Sequence, residues 1–316
     1  MRVVELAPGI YHLQGGVNMG LVVQDGKGLL IDAGLDKDAA RRALRVVEGM
    51  DVSLEAIFLT HAHADHFGGA HFLQRRLGVP TYAPALEAAM MEHPIMEPVF
   101  LYGGAAPIRA LRHKFTLAKP CRVDHVVEPG PLAIGPFQVE VVPLPGHAPN
   151  QVGVAVGEVL FCADAAFPEE TLEKHKVIFC ADMDDALETL GRLPDLPYAH
   201  FAPGHGPAYE AGKEIADICR VNRERLGAVR EQVYIALVEP QETAELVQHV
   251  ADHVGLHLTT PTAYYLTRTT ILAALSSLEG AGKVKVTVRA NRLVWSRTEH
   301  RTRNTQHAPR DSRRGR

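Results

Sequence analysis

No apolar run in this chain approaches the roughly 18 residues needed to cross a bilayer, so no membrane-spanning segment is expected. Cysteine is scarce: Cys121, Cys162, Cys180 and Cys219 are the only four in 316 residues, widely spaced and without a CxxC pair. That usage gives no disulfide framework, points to a reducing compartment and leaves the thiols as small apolar core residues. The opening stretch MRVVELAPGIYHLQ lacks an apolar core followed by a small-residue cleavage site, so a cytoplasmic location is expected. A large charge excess of one sign is missing too. The formal net charge of −4 argues against wholesale binding to nucleic acid or a membrane surface. That average hides one contrast, because seven Arg against Glu299 and Asp311 give residues 297–316 a net +5 and the rest about −9. Hydrophobic residues at 46% and charged residues at 22% are ordinary for a globular chain long enough for more than one domain.

What is present is an alternation of short apolar strands and helical stretches over the first two hundred residues. Strands are expected at 20–23, 28–32, 56–59, 138–142, 152–156, 158–162 and 198–202, with a hairpin through Gly157. Helices are expected at 36–49, 67–77 and 183–193. Such alternation implies a layered α/β architecture. Two segments, 90–120 and 166–181, carry Pro, Gly and aromatics without clean periodicity, and read as long loops walling an active site. After Pro207 the pattern turns helical, at 210–229, 229–238, 243–254 and 261–279, then gives a strand pair, 283–288 and 292–295, turning at Ala290-Asn291. Three helices followed by a hairpin is winged-helix order. Beyond residue 298 the chain is polar and Arg-rich, and disorder is expected there.

The chemistry concentrates in Thr60-His61-Ala62-His63-Ala64-Asp65-His66, directly after the apolar strand 56–59. Histidines two apart can converge on one ion from a tight loop, while Asp65 and His66 project towards another point. Imidazole and carboxylate suit zinc, iron or manganese. A His-rich hexapeptide alone could be a solvated loop. Against that, His147 follows a strand in Pro145-Gly146-His147, Asp164 ends one, and His205 sits in Pro203-Gly204-His205. Glycine before a ligand permits the bend that aims it inward.

In these residues the chain resembles the metallo-β-lactamase-fold superfamily. Its HxHxDH motif matches at His61, His63, Asp65 and His66, with further matches at His147, Asp164, His205 and, in the metal-loop vicinity, Asp32. The resemblance covers about residues 1–208 and implies an αββα sandwich with metal ligands on loops at one edge. It implies two divalent cations, zinc favoured and iron or manganese as alternatives. One would take His61, His63 and His147, the other Asp65, His66 and His205, with Asp164 bridging. A hydroxide between the metals would cleave an ester-like bond: thioester, lactone or phosphodiester. The catalytic carboxylates would be Asp65, which orients the nucleophile or takes a proton, and Asp32, acting by fixing the metal loop. The absence of a Cys ligand, the presence of His63 and the chain length separate it from antibiotic-degrading, flavodiiron and β-CASP members. A mononuclear-iron persulfide dioxygenase and an endoribonuclease remain as alternatives within the superfamily, and a winged-helix nucleic-acid-binding regulator remains outside it.

The resemblance divides the chain into a catalytic domain at 1–208, a connecting helix at 209–228, a winged helix at 229–297 and a basic tail at 298–316. The third helix of the small domain offers only Arg268 as a base, so duplex DNA is an unsuitable partner. A cleft-closing or dimer-forming role is favoured, with RNA left to the Arg-rich tail. His249 and His253 have helical metal-site spacing but no third ligand. Arg109, Arg112, His113, Lys114 and Lys119, with Lys174, His175 and Lys176, form basic clusters that default to solvated charge. Lining a cleft, they would favour an anionic small-molecule substrate.

Overall fold

The computed structural model describes residues 1–298. Seven strands lie side by side in chain order: β1 (Arg2–Ala7), β2 (Ile10–Gln14), β3 (Met19–Gln24), β4 (Lys27–Ile31), β5 (Ser53–Phe58), β6 (Thr81–Pro84) and β7 (His125–Val127). A second sheet follows with six: β8 (Gly130–Ile134), β9 (Phe137–Pro143), β10 (Val152–Val156), β11 (Val159–Ala163), β12 (His200–Pro203) and β13 (Tyr209–Glu210). Strands β4 to β7 pair in parallel, as do β11 and β12; the remaining pairs are antiparallel.

Period-two alternation explains the layering. Leu29 and Ile31 of β4 and Ala56 and Phe58 of β5 face Val139, Val141, Val154 and Phe161 in the core between the sheets. Their neighbours Leu30 and Ile57 face outward onto helices α1 (Lys37–Gly49) and, past the short α2 (Ala64–Phe67), α3 (Ala70–Leu77). On the second sheet Leu160, Cys162 and Phe201 likewise point away from the sandwich. Both faces of each central strand are therefore buried, which is why those strands read as continuous apolar runs. The result is the expected mixed α/β sandwich. The four cysteines are buried and unpaired, and no described helix is long and apolar enough to cross a membrane.

Several expectations are corrected. The helix expected at 67–77 is two helices, because Gly68 and Gly69 sit where the backbone of residues 33–35 passes. A Cβ on Gly68 would lie 2.0 Å from the Leu35 carbonyl oxygen, and one on Gly69 2.2 Å from that of Ala33. The first presumed loop begins in the last turn of α4 (Ala85–Glu92) and contains α5 (Met96–Leu101), and the second contains α6 (Glu169–His175). After α7 (Met183–Arg192), no helix break occurs at residue 229. A single α8 runs over Lys213–Ala236, its buried Ile215, Ile218, Cys219, Asn222, Leu226, Val229 and Val233 keeping three- and four-residue spacing throughout.

Then come α9 (Thr243–Val254), α10 (Pro261–Gly280) and the hairpin β14 (Val284–Arg289) and β15 (Arg292–Arg297), with Ala290 and Asn291 at φ 48° and 63°. These elements share one apolar core with the second sheet: Leu160 and Phe201 are contiguous with Val233, Leu246, Ile271, Leu275 and Trp295. The tail expected to be disordered lies, from residue 299, outside the described residues.

Candidate metal centre

Every expected site residue sits just past the end of a strand, at one edge of the sandwich. Asp32 follows β4, the segment Thr60–His66 follows β5, His147 follows β9, Asp164 follows β11 and His205 follows β12. Two of these exits are left-handed without glycine: Asp32 has φ 61° and Ala163, directly before Asp164, φ 48°. Such backbone persists only where surroundings enforce it, and it clusters at functional sites.

The structure brings all seven expected ligands together. Three groups each place their donor atoms within 4.8 Å of one another: His61, His63 and His147; His61, His66 and Asp164; and Asp65, His66 and His205. Asp164 stands between them. Its Oδ1 is 3.2 Å from His66 Nε2, and its Oδ2 is 3.5 Å from both His147 Nε2 and His205 Nε2. Asp65 Oδ2 is 3.8 Å from His205 Nε2.

The rings are aimed from behind. His66 Nδ1 donates to Asp32 Oδ2 at 2.7 Å, His147 Nδ1 to the Phe179 carbonyl at 3.1 Å, and His61 Nδ1 meets the Thr60 hydroxyl at 3.1 Å. Thr60 is itself locked, its amide and hydroxyl donating to Asp32 at 2.9 and 3.0 Å. Each ring thus turns Nε2 inward. His61 Nε2, His66 Nε2 and Asp164 Oδ1 are buried and have no aligned hydrogen-bond partner. Buried polar atoms are costly unless something binds them, and imidazole nitrogen with carboxylate oxygen is the donor set of zinc, iron and manganese. These residues fit divalent cations.

Electrostatics agree. Burial, then the neighbouring His66 and His63, holds His61 well below its ordinary value, and burial with His63 lowers His147 to about 3. Both imidazoles are therefore neutral, the form that ligates. Burial opposes charge on His66, yet Asp164 and Asp32 hold it well above its usual range; burial opposes charge on Asp164 too, but His66 and His205 hold it well below. Two carboxylates converging here demand positive charge, which a cation supplies as readily as a proton.

Three supports escaped the sequence reading, and a fourth position, Gly204, proves to be fixed by space as well as by the bend. Glu87, 1% exposed, accepts the Ala62 amide of the metal loop at 2.8 Å and the Asn150 amide at 2.9 Å. Asn18 donates to the Gly206 and Pro203 carbonyls at 2.7 and 3.0 Å, and His12 Nε2 to Pro203 at 3.1 Å, bracing the His205 turn. Gly204 is required by space: a Cβ there would lie 2.3 Å from Asp164 Oδ1 and 2.6 Å from His66 Cε1. Glu87, Asn18 and His12 act across long sequence separations, so no local pattern marks them. His249 and His253 join no metal-ligand group among the described residues.

A cleft of about 1030 Å³ opens above the site, floored by His63, Asp65, His147, Asp164 and His205. Both segments expected as walls contribute, through Glu97, His113 and Phe115 on one side and Phe167, Lys174, His175 and Phe179 on the other. The start of α10 closes it with Thr260–Leu266. His113 Nε2 meets Thr262 Oγ1 at 2.8 Å, and Tyr265 packs edge-on against Tyr102 with ring centroids 5.5 Å apart. Trp295 instead serves its own unit, donating to Thr243 Oγ1 at 3.2 Å.

Residues 13–205 match the family described as the metallo-beta-lactamase superfamily. The chain belongs to that superfamily. Among curated members, the "Probable metallo-hydrolase YqgX" of Bacillus subtilis is 33% identical over 115 residues, 34% of this chain and 49% of that protein. A "Hydroxyacylglutathione hydrolase" of Albidiferax ferrireducens is 26% identical over 169 residues, 51% of this chain and 53% of that protein. The match thus spans about half the length of each of these two relatives. A crystal structure of a metallo-beta-lactamase family protein from Thermus thermophilus superposes with a TM-score of 0.71 at 21% identity, covering 93% of this chain and 100% of that one. That likeness concerns the fold, and its coverage carries it beyond residue 205 into the C-terminal helices of this superfamily member.

Proposed function

We propose that this metallo-beta-lactamase superfamily member is a metal-dependent hydrolase acting on an ester-like bond, with a thioester the favoured substrate class. The observation that carries it is the pair of ligand-quality triads, His61–His63–His147 and Asp65–His66–His205, joined through Asp164 at the floor of a substrate-sized cleft. Similarity to a hydroxyacylglutathione hydrolase supports the thioester over a lactone or phosphodiester.

In this reading one divalent cation is held by each triad, with Asp164 shared, and zinc is favoured by the His/carboxylate set. Such cations activate water and polarise a carbonyl. The chain's own part is orientation. Asp65, half-buried and lining the cleft, would orient the attacking water from its carboxylate. Asp32 does not line the cleft; behind His66 it positions that ring and Thr60 without touching substrate. Lys174, the one Lys or Arg lining the cleft, gives an anionic group a place to pair in a space that Glu97 and Glu170 also line. The α8–β15 region, read as a winged helix, closes the cleft rather than reading DNA.

Elemental analysis of metal-supplied protein, followed by a panel of thioesters, lactones and phosphodiesters, tests this. About two equivalents of metal and turnover of at least one thioester are expected. Metal content never exceeding one equivalent of iron, with oxygen uptake on persulfides, would replace this reading by the dioxygenase.

A further inference from the structure

Beside the metal cleft lies an open cavity of about 790 Å³ at the surface, lined by six exposed Lys and Arg side chains. Lys37 comes from α1, Arg75 and Arg76 from α3, and Arg112, Lys114 and Lys119 from residues 107–120. The one carboxylate in these walls is Asp36, which already caps α1 and accepts Lys114 Nζ at 3.2 Å. Among the described residues Lys37, Arg75, Arg112 and Lys119 have no carboxylate within 4.0 Å. Here three separate segments converge like charge on one space.

Convergent, uncompensated cations repel one another within a Debye length of about 8 Å. An anion with several charges relieves that repulsion, and the planar forks of Arg75, Arg76 and Arg112 match phosphate oxygens two at a time. The volume is that of a small-molecule site, about 300–1,000 Å³. An RNA strand would ask instead for an open charged track, on a chain whose net charge is −4. Position adds the last element: His113 lines both this cavity and the metal cleft, and Gly68, in the cavity wall, lies two residues from His66. The two spaces are thus neighbours that share the His113 wall.

We propose that this cavity binds the phosphate groups of a nucleotide-type carrier whose thioester end lies in the metal cleft. The inference rests on the thioester reading above and names the carrier's chemical class.

The test uses the full, metal-loaded chain and the double variant Arg75→Glu/Lys119→Glu, neither residue being in the metal cleft. Calorimetry with ADP at 0.15 M salt should show binding to the parent and about tenfold or greater loss in the variant, as expected for charge-assisted phosphate contacts. The variant should raise KM about tenfold for a coenzyme A thioester. It should leave kcat/KM unchanged for the same acyl group on N-acetylcysteamine, which lacks phosphates. Equal effects on both thioesters, or ADP binding that survives the charge reversal, would overturn the proposal. So would tight, variant-sensitive binding of single-stranded RNA by a parent that ignores ADP. Failure of both thioesters as substrates would sink the thioester reading alone, because ADP calorimetry still decides whether the cavity takes phosphate.

Discussion

Replacing Glu87 by Ala is expected to loosen the metal loop without removing a ligand. Its two oxygens accept the amides of Ala62, between His61 and His63, and of Asn150, three residues after His147. One buried carboxylate thus ties together both segments that carry the first triad. Each buried amide left unpaired costs about 1–3 kcal/mol. Removing the side chain also relieves the cost of burying a carboxylate, which is what raises the Glu87 pKa. A net loss of about 2–4 kcal/mol follows, or roughly 3–6 °C in Tm for a chain of this size. Glu87→Gln keeps the shape but turns an NH2 towards one of the two N–H donors, and should fall between Ala and the parent. A sign for pH follows as well. A carboxyl whose folded pKa is raised stabilises fully below its unfolded value, about 4.3, and that contribution is lost as pH rises through the folded value. The parent should therefore lose stability relative to Glu87→Gln over that rise. Thermal melts and chelator competition measure both quantities, and metal affinity should drop about 10–100-fold, as for other partners behind a ligand. Unchanged Tm and metal affinity in Glu87→Ala would refute the argument.

Two further outcomes test the centre itself. Gly204→Ala should displace Asp164 and His66, whose atoms a Cβ would meet at 2.3 and 2.6 Å, costing about 1–3 kcal/mol of stability and lowering bound metal; full metal content by elemental analysis would contradict it. Asp164→Ala should retain the fold by circular dichroism but bind fewer than two metal equivalents and lose more than about a hundredfold in turnover, beyond the effect of an outer partner; parent-like activity on a confirmed substrate would show that the two triads do not share this ligand.

How legible the molecule is in its sequence follows from how local each signal is. The seven metal-centre candidates were readable because each follows a strand, most of them ending in a short apolar run such as Ala56–Phe58 or Val159–Ala163, and because four of them stand together in one motif. The supports were not readable: Glu87 meets Ala62 across 25 residues and Asn150 across 63, and Asn18 meets Gly206 across 188. Strands β1, β2, β6, β7, β8 and β13 were missed. β1, β7, β8 and β13 are largely exposed or half-buried, β6 has only four residues, and β2 buries a polar His12, so none carries a clear apolar contrast. Periodicity misled only where space intervened, at Gly68-Gly69, and where a break was inferred inside a helix whose buried face in fact continues, at Val229.

The C-terminal helices show why a fold label and a role separate. Their order reads as a nucleic-acid module, yet Ile271, Ala273, Ala274, Leu275 and Leu278 of α10 are spent in a core shared with the second sheet. The helix face that a DNA reader would need free is thus already packed. What α10 leaves exposed to the cleft is its first turns, Thr260–Leu266, fastened to the 107–120 segment through Thr262 and His113. That same segment supplies half of the cations of the second cavity. The C-terminal unit thus meets the site walls along two seams: Thr262 holds His113 and the Ala110 carbonyl of the 107–120 segment, which walls both the metal cleft and the basic cavity, and Thr270 holds the Ile178 carbonyl and the Cys180 amide on either side of Phe179.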